Sequence, residues 1–329
     1  MPHAWAVGRE GTIIATHDGG EHWRRQPSGT DYHLMAVAFA DSLHGWAAGL
    51  KRVGYGCESV IIGTTDGGRS WSTLRSWSTP SDAHVAPGPY DIACPDCDHV
   101  WAVGQSTNGQ ALITYSGDGG RTWREQRLDL RGCLRRIVFV DESHAWASTV
   151  GKRKSRLLRT ADGGRSWKIG ERLPMFIEQI APLDDLRCWA AGRNLLQGQG
   201  DHSCLAFARK SEVGWAKSPS APLVLNGVVT IGSSGVGLYG LGFAPGGVSG
   251  VFWSSTDGEQ WTAASVPAHP FAVAFLDAEH GWLVGVAGYD DERHRSYGVI
   301  YATTDGGLTW KASRHRSGTP QLRDVACVS

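Results

Sequence analysis

Short runs that alternate between larger and smaller side chains recur along the whole chain, and glycine-rich turns separate them. In one such run Val37 and Phe39 face one side of a strand, while Ala36 and Ala38 face the other. Within the repeat that contains this run, the pattern predicts four strands, over residues 35–40, 45–49, 59–65 and 70–74. The alternation therefore predicts an all-β protein built from short strands.

One turn motif, Thr/Ser-x-Asp-Gly-Gly-x-x-Trp, joins the predicted third and fourth strands of the repeats. Five full copies cover residues 16–23, 64–71, 116–123, 160–167 and 303–310; a sixth is one residue shorter, and a seventh keeps only Gly-Trp at 214–215. Glycine tolerates positive φ, and aspartate accepts hydrogen bonds from turn amides. Because such regular recurrence indicates architecture, we interpret six aspartates as structural rather than catalytic: Asp18, Asp66, Asp118, Asp162, Asp257 and Asp305.

A second motif, apolar-x-Asp-x-x-His-x-Trp-Ala-x-Gly, lies between consecutive turns. Its copies end at residues 46–49, 101–104, 146–149, 189–192, 239–242 and 282–285, and the chain opens on another at 3–8. Five histidines precede the tryptophan by two positions and are predicted to bond within their own turns: His3, His44, His99, His144 and His280. The tryptophans that close the first motif recur every 44 to 52 residues. This period predicts a seven-bladed β-propeller with four-stranded blades.

The two ends of the chain complement each other. Residues 3–26 begin at a second strand, whereas residues 322–328 match the inner first strand of the other repeats. The simplest arrangement joins these two segments as blade 1, which closes the ring and removes exposed strand edges. The sequence therefore predicts a single propeller domain over residues 1–329.

Composition and charge exclude several classes of protein. Lysine plus arginine and aspartate plus glutamate both number 32, and this zero formal charge argues against a bulk nucleic-acid binder. No apolar run is long enough for a transmembrane segment, and the N-terminus lacks the features of a signal peptide, so a cytoplasmic chain is expected. Seven cysteines fit a reducing compartment better than a disulfide scaffold. We expect a monomer without cofactor or metal.

The first motif is the Asp box, or bacterial neuraminidase repeat. Together with the His-Gly-Trp-Ala-x-Gly strands at this spacing, it makes residues 3–328 resemble the photosystem II stability/assembly factor family. The resemblance implies a seven-bladed propeller and a non-enzymatic binding or assembly scaffold. Plastid and cyanobacterial members carry an export or lipoprotein signal, which this sequence lacks.

The predicted binding surface consists of the variable loops on the top face, opposite the glycine turns. Aromatic residues there are typical of a binding surface for a protein or small ligand, although any loop exposes polar residues. A basic loop in blade 4 suggests an acidic peptide, phosphate or carboxylate partner. The candidates are Trp77, Tyr90, Tyr55, Lys152, Arg153, Lys154, Arg156, Tyr289, Asp290, Asp291, Arg293 and His294.

Two alternatives remain open. The first is an enzyme, either glycoside hydrolase-like or of other small-molecule chemistry, whose active site would need two carboxylates in the central top-face pocket. Its candidate carboxylates are Asp201, Glu171, Glu178, Asp290, Asp291 and Glu292. The second concerns Cys94 and Cys97, whose C-x-x-C spacing permits a buried thiol pair, a local disulfide, a redox pair or a metal site, although no second C-x-x-C exists.

Overall fold

All regular structure in the computed structural model is β-structure. The model describes residues 2–54, 56–78, 88–106, 108–150, 154–194, 202–209, 212–215, 222–233, 235–244, 247–256, 260–290, 295–315 and 318–329. These residues form seven four-stranded antiparallel sheets. The prediction of an all-β propeller with four-stranded blades is confirmed. No helix in the described ranges is long and apolar enough to cross a membrane.

We number the sheets as blades 1 to 7. Blade 1 contains β1 (His3–Gly8), β2 (Ile13–Thr16), β3 (Arg24–Gln26) and the C-terminal strand β28 (Leu322–Val328). Blades 2 and 3 contain β4 (His33–Phe39), β5 (Gly45–Val53), β6 (Gly56–Thr64), β7 (Ser72–Ser78), β8 (Gly88–Ala93), β9 (Val100–Gln105), β10 (Gln110–Ser116) and β11 (Arg124–Arg131). Blades 4 and 5 contain β12 (Cys133–Phe139), β13 (Ala145–Val150), β14 (Ser155–Thr160), β15 (Lys168–Leu173), β16 (Phe176–Pro182), β17 (Arg187–Asn194), β18 (His202–Arg209) and β19 (Glu212–Trp215). Blades 6 and 7 contain β20 (Pro222–Ile231), β21 (Gly235–Ala244), β22 (Gly247–Ser255), β23 (Thr262–Val266), β24 (His269–Phe275), β25 (Gly281–Asp290), β26 (Arg295–Thr303) and β27 (Lys311–Ala312).

Both ends of the described chain lie in the first sheet. Strand β28 pairs with β1 in antiparallel register, with Trp5 opposite Ala326 and Ala4 opposite Cys327. The first strand of each blade also contacts that of the next, in the cyclic order β28, β4, β8, β12, β16, β20, β24 and back to β28. These seven strands surround a central channel.

The core is divided among the seams between blades. Seven apolar clusters each combine residues of two consecutive blades. At the seam of blades 1 and 2, the Trp5 indole donates a 3.2 Å hydrogen bond to the carbonyl of Gly67 in the neighbouring glycine turn. At the seam of blades 7 and 1, a Cβ on Gly20 would lie 2.4 Å from Nε1 of Trp282, so only glycine fits there. The repeated tryptophans are therefore blade-packing residues.

The Asp-Gly-Gly turns share one hydrogen-bond pattern. In the first, the Thr16 hydroxyl donates to Oδ1 of Asp18 (2.7 Å) and accepts from the Gly20 amide (2.9 Å). The four other described turns repeat both contacts, at Thr64, Ser116, Thr160 and Thr303. Hydrogen bonds from turn residues lower the pKa of Asp66 and Asp118 to about 2. These carboxylates serve the turn, and Asp257 lies outside the described residues.

Some local predictions were wrong. Strand β5 runs to Val53 rather than residue 49, because it forms a long hairpin with β6. Strand β7 covers residues 72–78, so Trp77 lies in a strand and not in a loop. His3 also lies in a strand and bonds to His17, whereas the four other repeat histidines bond to an aspartate three residues earlier, as predicted.

Blade 6 departs from the predicted repeat alignment. Sequence matching placed Tyr239 at the repeat tryptophan, but it pairs with Gly227, immediately after the bulge of the first strand. The equivalent residue in blade 2 is Ala48, two positions after the repeat tryptophan. The place of that tryptophan against the next glycine turn is taken by Phe252, which lies against Gly307. Tyr239 is consequently free to point toward the channel.

Candidate functional site at the channel mouth

A β-bulge interrupts the first strand of every blade near its start. The ladder skips one residue there, for example between Leu34 and Ala36. A bulge re-aims its extra side chain away from the regular alternation. In all seven blades this residue is half-buried and follows a fully buried one. We call these residues the mouth ring: Met35, Tyr90, Arg135, Glu178, Asn226, Phe271 and Arg323.

Neighbouring members of the mouth ring interact. The Arg135 guanidinium lies 3.8 Å from the Glu178 carboxylate. On the other side of the ring, the Arg323 guanidinium stacks 4.6 Å from the centre of the Phe271 ring. Burial and the positive charge of Arg9 and Arg135 lower the pKa of Arg323. The mouth thus gathers several guanidinium groups next to one carboxylate and two aromatic rings, and it can hold an anionic group.

Glu178 also receives a second arginine. Nη2 of Arg193 lies 2.7 Å from Oε1 of Glu178, and the Arg193 guanidinium stacks 5.2 Å from the Phe176 ring. The carboxylate therefore holds Arg193 in place near the end of the second strand of blade 5, opposite Phe176. Such prearranged arginines lose less side-chain freedom when an anion binds them.

The residues that follow the bulges form a second layer, the inner ring: Ala36, Asp91, Arg136, Gln179, Gly227, Ala272 and Asp324. Four of these, Asp91, Arg136, Gln179 and Asp324, line a channel cavity of about 480 Å³. Nη1 of Arg136 lies 3.8 Å from Oδ1 of Asp91. Oε1 of Gln179 is buried and lacks a hydrogen bond within the described protein.

Each inner-ring aspartate connects two blades. Oδ2 of Asp91 accepts a 2.9 Å hydrogen bond from the Ile137 amide in the next blade. In the same way, Oδ2 of Asp324 accepts a 2.9 Å bond from the Val37 amide. The carboxylates therefore satisfy buried backbone groups as well as facing Arg136.

Burial dominates the electrostatics of this layer. Desolvation raises the pKa of Asp324 to about 7, with the nearby Asp91 charge adding to the rise and Arg136 opposing it. Desolvation also raises the pKa of Asp91 and of the Tyr239 hydroxyl. Burying a carboxylate is costly unless it is paired, and here two carboxylates share one guanidinium.

Replacing Asp324 by asparagine should change how stability depends on pH. The unfolded aspartate has a pKa near ~3.9, so between about pH 4 and pH 7 the folded chain holds a proton that the unfolded chain releases. Wild-type stability should therefore fall relative to Asp324→Asn as pH rises through this window, by up to about 1.4 kcal/mol per pH unit. Urea unfolding of both proteins at pH 4.5, 6 and 7.5 (about 25 °C) measures this, and a constant difference would show that Asp324 does not titrate there.

The binding residues predicted from the sequence lie in different parts of the structure. Tyr90 lies in the mouth ring, and burial raises its pKa to about 12. Trp77 lies in the outermost strand of blade 2, where the Arg75 guanidinium covers its ring at 4.7 Å and the core of blades 2 and 3 packs against it. Arg156 lies in strand β14 and donates to the Gly170 carbonyl, whereas Lys154 is exposed just before that strand.

The other candidates cannot be placed in the mouth. Tyr289 and Asp290 end the strand β25, and their side chains are not described. Six candidates lie outside the described residues: Tyr55, Lys152, Arg153, Asp291, Arg293 and His294. Of the carboxylates considered for catalysis, Glu178 is in the mouth ring, Glu171 is exposed on strand β15, and Asp201, Asp291 and Glu292 lie outside the described residues.

Sequence reasoning missed the inner ring. Asp91, Arg136 and Asp324 occupy, in the first strands of blades 3, 4 and 1, the position that Ala36 has in blade 2. A charged residue at an inner-strand position that is small and apolar in other repeats is a signal that could have found them. The β-bulge that turns the mouth-ring side chain toward the channel mouth has no comparable sequence signal.

Comparison with known proteins gives two curated relatives, while no family model matches. The photosystem II assembly lipoprotein Ycf48 of Synechococcus sp. (strain CC9902) is 25% identical over 212 residues, which cover 60% of this chain and 56% of that protein's length. The photosystem II assembly protein Ycf48 of Synechococcus sp. (strain JA-2-3B'a(2-13)) is 23% identical over 296 residues, or 87% of this chain and 80% of that protein. The chain is homologous to Ycf48.

A solved structure of Ycf48 bound to a D1 peptide has the same fold. It matches with a TM-score of 0.58 and 20% identity, over 88% of this chain and 82% of that one. By their names, both curated relatives are photosystem II assembly proteins, and the solved Ycf48 structure holds a D1 peptide.

Proposed function

We propose that this protein is a non-catalytic scaffold that binds a protein segment bearing a carboxylate or other acidic group at the mouth of its channel. The scaffold is a single domain over residues 1–329, a seven-bladed ring closed by the C-terminal strand. The observation that carries the proposal is the mouth ring, which combines Arg135 and Arg323 with the aromatic residues Tyr90 and Phe271. Arginine and aromatic side chains are the usual anchors of protein recognition.

The basic loop of blade 4 extends this surface. In the sequence, Lys152, Arg153 and Lys154 come between strands β13 and β14, the first two outside the described residues, and in an antiparallel blade the second strand ends on the face where the first strand begins. We propose that these residues attract the acidic partner, while the mouth ring supplies specific contacts. Charges at the rim chiefly raise the rate of association, and a paired guanidinium at the centre chiefly slows dissociation.

The D1 peptide is the first probe, because a homologue binds it. Changing Arg323 to glutamine removes one mouth guanidinium, and a charge-assisted hydrogen bond contributes about 1.5–3 kcal/mol, so affinity should fall about 10- to 100-fold. Changing Lys152, Arg153 and Lys154 together to glutamate should abolish binding without lowering the melting temperature. Calorimetric titration of the full chain measures both effects.

The matched control places the same charge change on the opposite face. Arg69, Arg121 and Arg165 are exposed and lie in the glycine turns of blades 2, 3 and 4. Changing all three to glutamate should leave peptide affinity within about twofold of wild type, since surface charges on the far side are screened. Equal losses in the two triple variants would refute a specific top-face site, and unchanged binding in Arg323→Gln would remove the mouth from it.

One observation favours the enzyme alternative. Asp91 and Asp324 both line the channel cavity, burial raises the pKa of both carboxyl groups, that of Asp324 to about 7, and glycoside hydrolysis uses a pair of carboxyl groups one of which has a raised pKa. This alternative predicts that the full chain releases nitrophenol from at least one member of an aryl-glycoside panel, and that Asp324→Asn loses the activity. Absence of turnover on the whole panel would count for the scaffold.

A further inference from the structure

A cluster of metal-binding side chains lies on the face opposite the mouth, at the seam of blades 2 and 3. The turn between the first two strands of blade 2 pairs the Nδ1 of His44 with Oδ2 of Asp41 at 2.9 Å. The same Asp-x-x-His pair recurs in the corresponding turns of blades 3, 4 and 7, at His99, His144 and His280. The pair itself is therefore a feature of the repeat and needs no ligand.

Blade 2 differs because a cysteine from the next blade approaches this pair. Sγ of Cys97 lies 3.1 Å from Oδ2 of Asp41 and donates a hydrogen bond to it. The ligand atoms of Asp41, His44 and Cys97 all lie within 4.8 Å of one another, and all three residues are partly buried. Within the described ranges, no other group of three such side chains at this spacing contains a cysteine.

A second thiol lies nearby in the sequence, because Cys94 precedes Cys97 by three residues. Cys94 is partly buried and feels the charges of Cys97 and Asp41, but it is not among the three residues whose ligand atoms lie within 4.8 Å of one another. The two cysteines form no disulfide. Two thiols at C-x-x-C spacing, one imidazole and one carboxylate match the number and types of ligand that bind zinc tetrahedrally.

We propose that Cys97, His44 and Asp41, with Cys94 as the fourth ligand, bind one zinc ion at the seam of blades 2 and 3. Each thiol loses its proton to solvent as the metal–sulfur bond forms, so no oxidant or reductant takes part. Two ligands come from blade 2 and two from blade 3, and the ion fastens these blades together. The site is independent of the binding function proposed for the opposite face.

Zinc and cobalt titrations of the full chain under reducing conditions test the site. The wild-type protein should bind one equivalent of Zn²⁺, and Co²⁺ should give an intense thiolate-to-metal charge-transfer band. Cys97→Ser and His44→Ala should each weaken binding at least about 10-fold, since even the loss of a residue that only hydrogen-bonds to a ligand costs about 10- to 100-fold in metal affinity. Zinc should raise the melting temperature of the wild type and not that of Cys97→Ser.

Two variants provide matched controls. Cys133→Ser removes another partly buried thiol, and His144→Ala removes the histidine of the equivalent pair in blade 4, where Asp141 has no cysteine beside it. Both should bind zinc as the wild type does. Melting curves in EDTA establish that the variants fold. Less than a tenth of an equivalent of zinc on the wild type, or equal weakening by His44→Ala and His144→Ala, would overturn the proposal.

Discussion

Removal of residues 320–329 should abolish cooperative folding of the whole chain. The deletion removes strand β28, which pairs along the full length of β1 and contacts β4 and β24. Leu322 is completely buried and Val325 nearly so. Losing two such side chains costs about 3–6 kcal/mol, against a total stability of about 5–15 kcal/mol for a domain. The strand pairing and the Asp324 link to Val37 are lost as well.

Circular dichroism melting and denaturant titration measure the effect. The truncated chain should show no cooperative transition, or a greatly lowered one, while removal of the exposed Ser329 alone should change nothing. Adding a synthetic peptide of residues 318–329 should restore part of the transition, because the vacant edge of β1 can pair with it. A truncated chain that melts like its parent would show that β28 does not hold the ring closed.

Substitution of Arg136 by methionine should produce the largest loss of stability from a single side chain. Its guanidinium is the positive group that faces Asp91 and Asp324, and its side chain is only 20% exposed. Removing one partner of a buried ion pair costs about 3–5 kcal/mol, because it leaves the other charge unpaired. Urea unfolding at pH 7.5, where the carboxylates most need the counter-charge, should show this loss.

Comparison with a triple variant separates the effect of charge from the effect of packing. Adding Asp91→Asn and Asp324→Asn to Arg136→Met removes the unpaired charges, so more than half of the lost stability should return. If the triple variant is no more stable than Arg136→Met alone, the loss comes from the cavity left by the arginine, and the charge-balance explanation of the inner ring is wrong.

Sequence predicts the blades better than it predicts the site. The tryptophan and Asp-Gly-Gly repeats specify the strands, because the turn makes the same local contacts in five described blades and the tryptophans pack at the seams. Blade 6 shows the limit of this approach. Gly237 stands where other blades have the repeat tryptophan, so the sequence pattern aligned Tyr239 with that position. The pairing of Tyr239 with Gly227 shows the true register of the strand. Where the repeat decays, spacing alone no longer fixes the register.

The site depends on geometry that has no local sequence pattern. Arg135 and Arg323 are about 190 residues apart, and they approach each other only because β12 and β28 line the same channel. The reasoning from variable loops selected Tyr90, which lies in the mouth ring, but it also selected Trp77, which lies in strand β7 and packs against the core of blades 2 and 3. A charged residue in the first strand of a blade therefore indicates a position in the channel better than an aromatic residue in a predicted loop does.

Hydrogen–deuterium exchange with and without the D1 peptide tests the central claim most directly. If the mouth binds the peptide, protection should appear in the starts of the first strands, above all around Tyr90, Arg135 and Arg323, and in the blade 4 loop. The glycine turns on the opposite face should exchange at unchanged rates. Protection confined to those turns or to the outer strands, with none at the mouth under saturating peptide, would contradict the account.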